Sequence, residues 1–144
     1  MTTKELENKI YFALCKMGTY LCLEVMMPSN RFVVNERVDL LSYDTNGNWR
    51  FYELKISKAD FHSKAKKTFL GHYNYFVMPI QLYEQVKDEI PKGIGCYVAD
   101  GNRCYCIKRP TKMPLGVDEE KLKFSFMQAL SRQHEKYMRM RRTG

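Results

Sequence analysis

The chain has 144 residues, a formal net charge of +8, and 44% hydrophobic with 13% aromatic residues. That length suits one domain burying about two-thirds of its unfolded surface, and the composition excludes a disordered or collagen-like chain. No apolar run approaches the ~20 residues of a membrane span.

The N-terminus, Met1-Thr2-Thr3-Lys4, lacks a signal-peptide core, so the expected compartment is the cytoplasm. The basic excess calls for a polyanionic partner such as nucleic acid, although an anionic membrane surface has the same sign.

Residues 3–17 read as a helix, with Leu6, Ile10, Ala13, Leu14 and Met17 on one stripe and Gly18 as its stop. Thr19 to Met27 reads as a strand ended by Pro28. Arg37 to Asp44 and Trp49 to Ser57 form a hairpin, and Ser57-x-x-Asp60 caps a helix running to about Leu70 before Gly71. Tyr73 to Met78 is a strand. Pro79 starts a helix of roughly ten residues carrying Leu82, Val86 and Ile90. Gly95 to Ala99 and Arg103 to Lys108 form a second hairpin across Asp100-Gly101-Asn102. A last helix, about 118–142, opens on Asp118-Glu119-Glu120 and ends on Arg139, Arg141 and Arg142, as the helix dipole favours. This order predicts one α/β domain, a mixed sheet flanked by helices.

Five cysteines (15, 22, 96, 104, 106) without any Cys-x-x-Cys spacing read as reduced packing residues rather than a zinc site. His62 and His72 lack metal-ligand spacing and read as surface or packing residues.

Within the first hairpin, three charges interrupt an apolar pattern: Asp39 on one strand, Glu53 and Lys55 on the next. Charged residues are rarely buried unless paired or bound to metal. Two acids with one lysine would leave a net charge that is expensive to bury as a structural ion pair. Glu53 and Lys55, two apart on a strand, share a face. Asp39 joins them only in one register. A two-residue turn at Asn46-Gly47 would set Asp39 against Leu54. A type I turn over Asp44-Thr45-Asn46-Gly47 with a G1 bulge at Gly47 sets it opposite Glu53. Opposed like charges destabilise a sheet, and a shared divalent cation reverses that effect.

Val38-Asp39 followed by Glu53-Leu54-Lys55 resembles the signature of the PD-(D/E)XK nuclease superfamily, with Val in place of the proline before the acid. Lys55-Ile-Ser-Lys-Ala-Asp60-Phe61, Lys66 and Tyr73-Asn-Tyr-Phe-Val-Met-Pro79 are similar to small bacterial and phage-borne, DNA-repair-like members. The likeness spans roughly residues 3 to 110. It implies a restriction-endonuclease-like sandwich and Mg²⁺- or Mn²⁺-dependent hydrolysis of phosphodiester bonds in DNA, RNA not being excluded. By analogy, Asp39, Glu53 and the backbone carbonyl of Leu54 would hold the cation. Lys55 would face the attacking water or the phosphate, as an electrostatic clamp or a base.

Members often add a glutamate from the first helix. Glu7 is the choice, ahead of Glu5 or Glu24, because it flanks the buried stripe at Ile10 and Leu14; the opposing reading is a solvated helix glutamate. Lys64, Lys66 and Lys67 are the expected nucleic-acid contacts, and a domain this small can form a homodimer to place two sites on two strands. A non-catalytic nucleic-acid-binding or regulatory module on the same fold is the alternative.

Overall fold

The structure is a computed structural model and describes residues 1–28, 36–63 and 69–143. Helix α1 (Thr3–Leu14) starts at Thr2, whose Oγ1 accepts the Glu5 N–H at 3.1 Å, an N-cap that satisfies one orphan donor. It ends three residues earlier than its apolar stripe suggests. Cys15 is already extended, the Thr19 N–H closes a turn onto the Lys16 carbonyl, and Met17 stands fully exposed.

Among the described residues six strands follow: β1 (Thr19–Met26), β2 (Arg37–Asp44), β3 (Trp49–Leu54), β4 (Tyr73–Pro79), β5 (Gly95–Asp100) and β6 (Arg103–Lys108). They form one sheet in sequence order, with β3–β4 and β4–β5 parallel and the other pairs antiparallel. The helices α2 (Lys58–Phe61), α3 (Ile80–Val86, continued by a 3₁₀ turn to Glu89) and α4 (Glu119–Thr143) complete the chain. The α/β fold with a mixed sheet and a C-terminal helix is therefore as expected from the sequence. Helix α2 is shorter than expected, closing at His62; residues 64–68, with Lys64, Lys66 and Lys67, lie outside the described residues.

The period of two along each strand sorts the core. On one face Leu40, Tyr52, Leu54 and Val77 meet Leu6 and Ile10 of α1. On the other, Leu41, Trp49 and Phe51 meet Leu122, Phe126 and Ala129 of α4, while Phe76, Met78 and Val98 meet Leu82 and Val86 of α3. Each such side chain contributes about 1.5–3 kcal/mol on burial. Helices thus cover both faces. Among the described residues, no helix is long and apolar enough to cross a membrane.

Candidate active site

The β2–β3 turn sets the site. Gly47 has φ 82, the left-handed conformation of a G1 bulge, and its N–H donates to the Asp44 carbonyl at 2.9 Å. The Asp44 N–H donates to the Asn48 carbonyl, and Asp44 Oδ1 accepts the Asn46 and Asn48 N–H groups at 2.9 and 3.1 Å. This is the three-residue hairpin that the Asp-x-x-Gly pattern predicts. The ladder pairs Tyr43 with Trp49, Leu41 with Phe51 and Leu40 with Tyr52. The ladder ends at Leu40–Tyr52, one step short of Asp39 and Glu53, whose carboxyls share a hydrogen bond.

Beyond Leu40 and Tyr52 the strands part. The Leu54 N–H, which the same register would direct toward the Val38 carbonyl, donates to Asp39 Oδ2 at 2.8 Å. Asp39 thus uses one oxygen to hold the end of β3. On the outer flank, β1 pairs Leu23 with Leu40 and Val25 with Val38. Glu24, between them and across from Asp39, has φ 53. A non-glycine residue in that region is strained, and such strain gathers at functional sites. Its carboxylate lies 3.6 Å from Arg37. Glu24 interrupts the alternation of β1, so Cys22 and Val25 both reach the α4 side.

Glu53 and Lys55 are buried, at 7% and 6% exposure, and Asp39 is half-buried. Burial pushes the Glu53 carboxyl up to about 9, helped by the charge of Asp39 and a hydrogen bond with it; Lys55 opposes the rise and Glu36 adds to it. Glu53 Oε1 has no hydrogen-bond partner among the described residues. An unsatisfied buried acceptor costs about 1–3 kcal/mol. Glu7 of α1 is half-buried, and its carboxyl is raised by burial and by the charges of Glu24 and Asp39. The fold therefore brings Glu7 into the field of Asp39 and leaves Glu5 exposed.

Lys55 follows β3 directly and keeps the strand direction through its N–H, which donates to the Val77 carbonyl at 2.9 Å. Its ammonium lies 3.7 Å from Asp60 Oδ1. Asp60 Oδ2 accepts the Ile56 N–H at 3.1 Å, and the Asp60 N–H donates to Ser57 Oγ at 3.1 Å. In the sequence Asp60 shows only as a cap residue. Its spacing from Ser57 signals the helix start, and the sharp turn there folds it back onto Lys55.

The donor set fits a small hard cation in part. Asp39 and Glu53 offer oxygens, Glu53 with one oxygen unengaged, and the nearby acids would be neutralised by a cation. Among the described residues, no three His, Cys, Asp or Glu side chains converge as a metal-holding group. Completion of the set rests on the Leu54 carbonyl and on water. The remaining candidates have packing partners. His62 pairs with Glu89 at 2.7 Å, and His72 Nδ1 accepts the Trp49 N–H at 3.0 Å. Arg139 pairs with Glu135, and the five cysteines are free thiols.

No protein-family profile and no curated protein matches the chain. Among solved structures, it is similar to the SPO1766 protein of unknown function from Silicibacter pomeroyi, with a TM-score of 0.63 and 17% identity over 86% of this chain and 80% of that one, a likeness of fold alone.

Proposed function

We propose that the protein is a metal-dependent nuclease of the PD-(D/E)XK, restriction-endonuclease-like type, hydrolysing phosphodiester bonds in DNA with Mg²⁺ or Mn²⁺. The observation that carries the reading is the buried Glu53 carboxyl, with one oxygen unpartnered, hydrogen-bonded to Asp39 and within the field of the buried Lys55. Phosphoryl transfer needs an activated water and neutralisation of the phosphate charge. A bound divalent cation supplies Lewis acidity at the phosphate and lowers the pKa of a ligated water. Asp39 and Glu53 would hold it, Glu7 would add negative charge behind them, and Lys55 would present an ammonium to the scissile phosphate. The net charge of +8 supports the polyanionic substrate.

The test is a cleavage panel: duplex, nicked, branched and single-stranded DNA, plus RNA, with Mg²⁺, Mn²⁺ or EDTA. The expected result is metal-dependent DNA cleavage, abolished in Asp39→Ala, Glu53→Ala and Lys55→Ala while the proteins remain folded. Cleavage that Lys55→Ala leaves untouched overturns the mechanism. Salt-dependent DNA binding with no cleavage under any divalent cation makes the protein a binding module instead.

A further inference from the structure

Helix α4 does two jobs along its 25 residues. Its first half is held on the sheet by Leu122, Phe126 and Ala129, by a hydrogen bond from Trp49 Nε1 to Glu119 at 2.9 Å, and by Gln133 on the Leu23 carbonyl. After Ala129, no residue through Thr143 is buried, and beyond Gln133 about 15 Å of helix runs clear of this subunit's sheet. A helix polar all round would explain that exposure; this one is not. Met127, Leu130, Tyr137 and Met138 are 60%, 39%, 56% and 44% exposed. At 3.6 residues per turn they make one stripe, turned about a quarter-circle from the face that packs on β1. Glu120 and Arg141, seven residues before Met127 and four after Tyr137, lie at its two ends.

We infer that this stripe is the interface with a second copy of the chain, the two α4 helices packing antiparallel about a twofold axis. The charge distribution sets the direction. The helix opens on Asp118, Glu119 and Glu120 and closes on Arg139, Arg141 and Arg142. A parallel pair would set acid on acid and base on base. An antiparallel pair sets the Glu120 end of each copy against the Arg141 end of the other and also opposes the helix dipoles. A twofold pair uses the same patch on both subunits, so each favourable contact occurs twice. Lys123, the cation nearest the stripe's acidic end, is drawn to the Tyr43 ring of its own subunit at 5.7 Å.

Sedimentation equilibrium and light scattering on the full chain test this without reference to any nuclease activity. The wild type is expected to be a dimer. Met127→Asp with Leu130→Asp should raise the dissociation constant at least about a hundredfold, since both residues are exposed in the monomer and their loss leaves the circular dichroism unchanged. Glu120→Lys alone should weaken the dimer about tenfold, and so should Arg141→Glu; the double exchange should restore it. A wild type that stays monomeric at its highest soluble concentration overturns the inference. So does a dimer indifferent to Met127→Asp/Leu130→Asp, or a double exchange that adds the two losses.

Discussion

The Asp60 carboxylate holds the Lys55 ammonium at 3.7 Å with one oxygen and the Ile56 N–H with the other, so a single residue fixes the tip of the lysine and the backbone just behind it. Buried lysines need such a partner. Asp60→Asn keeps an acceptor for the Ile56 N–H and removes the charge. It should lower kcat for DNA cleavage about tenfold with KM and Tm little changed. Asp60→Ala should cost about 1 kcal/mol of stability in addition, read by urea denaturation. Full activity in Asp60→Asn would show that Lys55 is positioned by packing alone.

Glu53 predicts a stability profile. Its carboxyl sits near 9 in the folded protein against an ordinary value of 4.5. Between those values the folded state keeps a proton that the unfolded chain has released, so stability falls as pH rises from about 4.5 to about 9. Denaturation midpoints in EDTA at pH 5, 7 and 9 should fall in that order for the wild type. Glu53→Gln should flatten the profile and be the more stable protein at pH 9. Equal slopes in both proteins would show that Glu53 is ionised in the fold.

Binding a divalent cation should expel that proton. Calorimetric titration of Mn²⁺ in buffers of different ionisation enthalpy should report release of about one proton per ion at pH 7.5. Release should vanish in Glu53→Gln. Binding with no release would place the cation elsewhere.

Glu7 and Glu5 separate the helix's two acids. Glu7→Gln should weaken Mn²⁺ binding about threefold to tenfold, because it removes charge that reaches Asp39. Glu5→Gln should change nothing. An equal effect of both would mean that only net charge matters.

The order of elements and the hairpin register from Tyr43–Trp49 to Leu40–Tyr52 were legible because each depends on neighbours in sequence: a turn pattern, a period of two, a cap. The end of α1 was not, since Met17 continues the apolar spacing but Gly18 turns the chain before it can bury. The kink at Glu24 has no local signal, as nothing in Leu23-Glu24-Val25 asks for a left-handed backbone; it falls between the Leu23–Leu40 and Val25–Val38 pairs of β1 with β2. The sequence marks Asp60 as a cap and not as the partner of Lys55, because that contact depends on how sharply the chain leaves β3.

Hairpin loops on protein surfaces usually accept insertions and deletions. The Gly47 turn should not. It lies about 17 Å along the strand from Asp39, and a Cβ added at Gly47 would meet open space. Yet losing one residue there would slide β3 by one position and turn its side chains to the opposite face relative to β2, parting Glu53 from Asp39. The protein would keep its backbone hydrogen bonds and lose the proposed cation site, so loop length here should be as constrained as the carboxylates themselves.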